Sequence, residues 1–206
     1  MSRFAHPSPD CPRESATRPA RDKRESLLLV ASRFFLRKGY SATSIDEIAE
    51  AAGTTGPALY RIFDSKQDIL DQLCLAGMEM RLEGIQAAIG KGHDDPRDTL
   101  RDLVRARIEF AFSAWGAQAP ITLAEHKYLS PAAARRVDTA SEISLSEWLR
   151  CLSQVRPATP TRELLAIIYA VLLEISYVAV DIDDIGNGHD VRDILERVAM
   201  AGLTSS

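Results

Sequence analysis

A chain of 206 residues, with 25 Lys+Arg against 29 Asp+Glu and a formal net charge of −4, suits one globular unit or a small domain joined to a larger one. Burying roughly 70% of its unfolded surface provides a core that needs neither metals nor disulfides. Three cysteines, Cys11, Cys74 and Cys151, with no CxxC spacing, argue against a disulfide framework and a zinc site and for a reducing cytoplasm.

The net acidity hides an asymmetry. Residues 1–66 hold 11 basic against 8 acidic side chains, and residues 67–206 hold 14 against 21. A mildly basic front thus precedes an acidic rear. The first twenty residues contain four prolines and no apolar run. They read as a disordered basic arm, 1–20, and not as a signal peptide. From Arg21 the pattern turns helical, with Leu27, Val30, Ala31, Phe34 and Phe35 on one face. Gly39 supplies the stop. Thr43 or Ser44 caps a short second helix whose first turn carries Asp46 and Glu47, where the helix dipole favours anions. Gly53 ends it, and a third helix starts near Gly56-Pro57, Pro being tolerated in a first turn. Asp64 or Ser65 caps a long helix over about 65–90. Further helical patterns follow at about 96–115, 118–128, 131–154, 160–182 and 190–203, separated by Pro and Gly punctuation. No segment alternates as a strand would, so the predicted fold is all-α with about nine helices.

Two short helices joined by a tight glycine turn describe a helix-turn-helix. Its second helix enters the major groove by its N-terminal end, which has to be slim and polar; Thr54, Thr55, Gly56, Pro57 and Ala58 meet that requirement. Tyr60 and Arg61 follow on the next turn, where a hydroxyl and a guanidinium reach phosphates or base edges. Ser65 and Lys66 open the next helix, whose N-terminal amides favour an anion. Arg18, Arg21, Lys23 and Arg24 precede the first helical face and would lie along the DNA backbone or in the minor groove. On spacing and composition alone a helical hairpin with no DNA role stays open.

The run ASRFFLRKGYSATSIDEIAEAAGTTGPALYRIFDSKQDIL, residues 31–70, resembles the DNA-binding region of the tetracycline-repressor (TetR) family of transcriptional regulators. The resemblance covers residues 24–73. It rests on Phe34-Phe35, Lys38-Gly39-Tyr40, Thr43-Ser44, Ile48-Ala49, Ala52-Gly53, Leu59-Tyr60, Phe63 and Ser65-Lys66. It implies a helix-turn-helix domain at 21–66 and an effector-binding and dimerisation domain at 67–206. It further implies phosphate contacts from Thr43 or Ser44, Tyr60 and Lys66, with Phe34, Phe35, Ile48, Leu59 and Phe63 as core. The chain departs from the family pattern at Gly56, Ala58 and Ile62, where Lys, Thr and His are common.

In the rear, LLAIIYAVLL, residues 164–173, is too short for a membrane span of about 20 residues. Because the stretch 160–182 is apolar all round, it reads as a helix buried on every side. The resemblance implies that the last two helices of two subunits form a four-helix interface; Leu165, Ile168, Leu172, Ile175, Ile194, Leu195 and Val198 are its expected members. Met78, Leu82, Phe110, Trp115, His126, Tyr128, Trp148, Tyr169, Glu174 and Tyr177 are candidate walls of an effector pocket. Catalytic motifs are missing: there is no GxSxG, P-loop or GxGxxG after a strand. The histidines His6, His93, His126 and His189 are scattered, and no metal or cofactor is expected. Asp181, Asp183 and Asp184 fail the ligand spacing of a calcium loop.

The reading is therefore a cytoplasmic, non-enzymatic, ligand-responsive repressor that binds a palindromic DNA operator as a homodimer and is released by a small apolar or amphipathic effector. An all-α carrier or enzyme whose front no longer reads DNA is the alternative.

Overall fold

Short polar side chains set the helix starts. The side chains of Ser44, Thr55, Ser65, Asp95 and Ser130 each accept a hydrogen bond from a backbone N–H of the turn they open, satisfying donors that a helix leaves unpaired. In the computed structural model, which describes residues 14–181 and 188–205, nine α-helices result. They are α1 (Glu14–Ala42), α2 (Ile45–Ala51), α3 (Gly56–Leu59), α4 (Lys66–Ile89), α5 (Pro96–Ala111), α6 (Gln118–Glu125), α7 (Pro131–Val155), α8 (Thr161–Asp181) and α9 (Gly188–Thr204). A single 3₁₀ turn, His126–Tyr128, links α6 to α7. Among the described residues there is no strand.

The start of the first helix differs from the sequence reading. The first helix begins at Glu14 and not at Arg21, so residues 14–20 of the expected disordered arm are helical. Glu14, Ala16, Arg18 and Ala20 are good helix formers that propagate α1 backward past Pro19. Residues 1–13, with Cys11 and His6, and residues 182–187, with Asp183 and Asp184, lie outside the described residues. At the other end of α1, Gly39 breaks the helical geometry with φ 82°, ψ 161°, a conformation that glycine adopts without strain, and one short turn follows before α2.

The apolar core crosses the expected domain boundary at 66/67. One cluster joins Leu27, Phe35, Ile48, Leu59 and Phe63 of the first three helices and their connections to Leu70, Cys74 and Met78 of α4, and onward to Trp115, Ile121 and Val137. A second cluster fills the rear with Leu103, Ile108, Trp148, Leu152, Ile168, Ile175 and Leu195. The three front helices thus have no closed core of their own, and α4, about 36 Å long at 1.5 Å per residue, belongs to both clusters.

Within the single chain α8 is not buried on every side. Leu164, Ile168, Ile175 and Ser176 are buried, but Tyr169, Leu173 and Tyr177 are 52%, 40% and 57% exposed. The helix is long and apolar enough to cross a membrane, yet only about a fifth of that stretch is buried. Its neighbours α5, α7 and α9 cover one side and leave the other open.

A polar knot fastens the rear. Asp102 is 7% exposed and receives Lys91 Nζ at 3.0 Å and His93 Nε2 at 2.7 Å. Burial pushes its carboxyl up, but hydrogen bonds and charge from His93 and Lys91 outweigh this and hold it below the usual carboxylate range. A carboxyl lowered by folding stabilises the native state above the unfolded value near pH ~3.9 and loses that contribution as pH falls through the lower folded value. Asp102→Asn should therefore cost about 1–3 kcal/mol at pH 7, measured by urea melts, with the gap to the unsubstituted protein closing below pH ~4.

Candidate nucleic-acid interface and ligand cavity

The helix-turn-helix is built from α2 and α3. Ser44 and Glu47 form a reciprocal capping box at the start of α2, and Lys38 Nζ pairs with Glu47 Oε1. Hydrogen bonding from Lys38 and Ser44 draws the Glu47 carboxyl down to about 2. The turn is closed by Thr54 N–H donating to Ala49 O at 2.9 Å. It passes through Gly53 at φ 64°, where a side chain would be strained. Leu59 is fully buried, so α3 docks by its C-terminal end and turns Thr55, Pro57, Tyr60 and Arg61 outward, with Tyr60 54% exposed. Thr54 and Ala58 are half-buried at the rim, and Ser44 and Lys23 are exposed. Arg21 lies on α1.

Four expected contact residues do other work. Thr43 is 2% exposed, and its hydroxyl donates to Gly39 O at 2.8 Å; Ser44 alone caps α2 and faces outward. Gly56 is buried, and a Cβ there would stand 2.7 Å from Asp46 Oδ1. Arg24 is tied down, donating to Gln72 Oε1 at 2.6 Å and Ile62 O at 2.8 Å with its guanidinium over Phe63. Lys66 is no free cation at a helix start: its ammonium donates to Tyr40 O at 2.9 Å and Thr43 O at 2.8 Å and sits 4.4 Å from the Tyr40 ring centroid. Thr43 and Lys66 shape the domain where α1, α2 and α4 meet.

Behind this domain lies a cavity of about 380 Å³, within the range of small-molecule sites. Of the expected wall residues, Met78, Phe110, His126, Trp148, Tyr169 and Tyr177 line it. Leu82, Trp115, Tyr128 and Glu174 do not. Leu82 is half-buried on another face of α4 and Glu174 is exposed. The Trp115 indole N–H donates to Glu25 Oε1 at 3.2 Å, and Tyr128 stacks on Tyr40 with ring centroids 5.0 Å apart.

Among the wall residues that the sequence reading missed are two arginines, Arg81 and Arg107. Arg107 Nη2 donates to Leu172 O at 3.2 Å and to Ser176 Oγ, while its Nε and Nη1 are shut off from solvent without a partner. Burial, with the Arg81 charge nearby, pushes Arg107 down to about 9; burial also lowers Arg81. The sequence signal was present. Arg107 occupies the apolar stripe Leu100, Leu103, Val104, Phe110, Ala111 at helical spacing, and Arg81 the stripe Cys74, Met78, Ile85, Ala88.

α6 stands between cavity and helix-turn-helix. Ala119, Pro120, Thr122, Leu123 and His126 face the cavity. Glu125 Oε1 accepts from Tyr40 N–H at 3.0 Å, Ser41 Oγ donates to Tyr128 Oη at 2.8 Å, and Gln67 Nε2 donates to Tyr128 O at 2.9 Å.

Residues 27–73 match the family described as bacterial regulatory proteins, tetR family. Over these residues the chain is similar to the DNA-binding region of TetR-family regulators. Over 127 residues it is 31% identical to the HTH-type transcriptional activator FasR of Mycolicibacterium smegmatis, covering 60% of this chain and 56% of that protein; it spans little more than half the length of that relative. Two solved structures share the fold. One is AibR in complex with isovaleryl coenzyme A and operator DNA, with TM-score 0.73, 19% identity, and 88% of this chain and 98% of that one covered. The other is the ketosteroid transcriptional regulator KstR2 of Mycobacterium tuberculosis, with TM-score 0.73, 21% identity, and 89% and 96% covered.

Measured against the TetR pattern, the departure at Gly56 has a structural cause: a longer side chain there would displace Asp46. The expected interface residues also divide. Ile168, Ile175 and Leu195 are buried within the subunit, Leu172 lines the cavity and Leu165 is half-buried. Ile194 and Val198 are 47% and 58% exposed, and with Tyr169, Leu173 and Tyr177 they form the uncovered apolar surface of α8 and α9.

A lysine free to reach phosphate would cost no stability on removal. Lys66→Met instead leaves the Tyr40 and Thr43 carbonyls without their shared donor, and a loss of about 1–3 kcal/mol is expected by chemical denaturation.

Proposed function

We propose that this chain is a homodimeric transcriptional repressor that binds a two-fold symmetric DNA operator and is released by a small effector in the α4–α8 cavity. The observation that carries the reading is shared structure: α6 is a wall of the cavity on one side and on the other holds the end of α1 through Glu125 and Tyr40. A ligand pressing on α6 shifts the α1–α4 joint and with it α3. It changes operator affinity only as far as it prefers one arrangement over the other. AibR, solved in complex with isovaleryl coenzyme A and operator DNA, supports the pairing of the two functions.

The exposed apolar faces of α8 and α9 supply the two-fold partner surface in this reading. A dimer sets its two recognition helices about 34–36 Å apart, one turn of DNA. Tyr60 and Arg61 are the assigned DNA contacts, with Ser44, Thr54, Thr55, Pro57, Ala58, Arg21 and Lys23 around them.

Selection from a random duplex pool, followed by titration of the winner at two salt concentrations, tests the proposal. A palindromic site with a steep salt slope is expected; no enrichment above non-specific binding would overturn it. Tyr60→Phe should weaken binding to all sequences, and Arg61→Ala should lower the slope of log K against log salt by about one unit. Ile194→Glu with Val198→Glu should yield a folded monomer by sedimentation that no longer binds the palindrome.

A further inference from the structure

We infer that the cavity is built for an amphiphile with an anionic head, whose carboxylate or phosphate oxygens pair with Arg81 and Arg107 while its apolar body packs on Met78, Phe110, Leu145 and Trp148. The inference rests on the effector-cavity reading above and names the chemistry of the ligand.

Arginines on the buried stripe of two adjacent helices are costly. A buried charge is ordinarily paired, yet among the described residues neither guanidinium takes part in an ion pair. Arg107 has satisfied only its Nη2; Nε and Nη1 are buried without acceptors. These two nitrogens lie on different edges of the planar guanidinium, so each offers its own N–H to an oxygen of a carboxylate or phosphate. Ser176 and Leu172 hold Nη2 and so fix the orientation of the guanidinium. Arg81 adds a second positive charge close enough to lower Arg107 further. A pair of like charges in an apolar wall destabilises the protein unless an anion joins them. Two further polar wall residues, His126 and Asp138, already face each other at 2.8 Å.

The test uses three ten-carbon probes, decanoate, decyl phosphate and decanol, each titrated into the DNA-free protein by calorimetry and by its effect on Tm. The expected result is that at least one anion binds about tenfold or more tightly than decanol, and that Arg107→Gln and Arg81→Gln each erase that preference while leaving decanol affinity unchanged. Preference for decanoate assigns a carboxylate head; preference for decyl phosphate assigns a phosphate. Arg107→Met should melt no lower than the unsubstituted protein, because it removes an uncompensated buried cation; this keeps the test independent of folding defects. Equal binding of all three probes, no binding of any, or a preference that survives both substitutions overturns the inference. Since no DNA is present, these outcomes are separate from failure of the operator selection, which would overturn the regulatory reading alone.

Discussion

The peptide carbonyls of Tyr40 and Thr43 point to one spot where α1 ends and α2 begins, and the Lys66 ammonium fills it. A cation donating to two carbonyls under an aromatic ring is a directional clamp; charge-assisted hydrogen bonds of this kind are stronger than neutral ones. It is made by the first residue of α4, so the start of a 24-residue helix shared with the rear is also the anchor of the helix-turn-helix unit. Tyr40 is shared further: its N–H binds Glu125 and its ring meets Tyr128. The orientation of α3 is therefore set by α4 and α6, and the front helices cannot choose it alone.

In the proposed reading this joint would let the cavity address a surface helix more than one helix away. Coupling needs an element that both sites bias. α6 is short, eight residues, and is held tightly against α4. Gly77 gives way to the Gln118 side chain, which would lie 2.3 Å from a Cβ there, and Gln118 Nε2 donates to Cys74 O at 3.1 Å. A helix so closely seated moves as a body, and packed interfaces switch between discrete arrangements more readily than they deform. The buried thiols take no visible part. Burial raises Cys74 to about 11 and also raises Cys151, which suppresses the reactive thiolate.

The two costly features of the rear are its uncovered apolar helix and its half-buried arginines. Each is a surface or charge left unsatisfied by the single chain. Exposed apolar area of this extent on one helix marks a contact face, and unpaired guanidinium nitrogens mark an acceptor's place. Tyr169, Leu173 and Tyr177 belong to both features, since they line the cavity and lie on the exposed side of α8. In the proposed dimer, the ligand and the second subunit would meet the same helix from two directions.

Local rules in the sequence settled where helices begin and stop. Capping side chains, prolines in first turns and the glycine at 39 act within a few residues, so nine helices and the helix-turn-helix were legible before any fold was known. Tyr60 and Arg61 were legible as outward residues for the same reason, since they follow a short helix whose Leu59 had to be buried. The roles of Thr43, Gly56, Arg24 and Lys66 were not, because a hydroxyl or an ammonium in a motif reads alike whether it faces solvent or a carbonyl 23 or 26 residues away in the chain. Leu82, Trp115, Tyr128 and Glu174 went to other faces for a similar reason: helical periodicity identifies a stripe but not the neighbour that covers it. Arg81 and Arg107 stood on those stripes in plain view, and only the packing of α4 against α5 showed that two such exceptions share one cavity. Tertiary structure alone decided which apolar residues of α8 and α9 a single chain buries and which it leaves for another, because burial depends on how many neighbours a helix finds, and one sequence cannot count them.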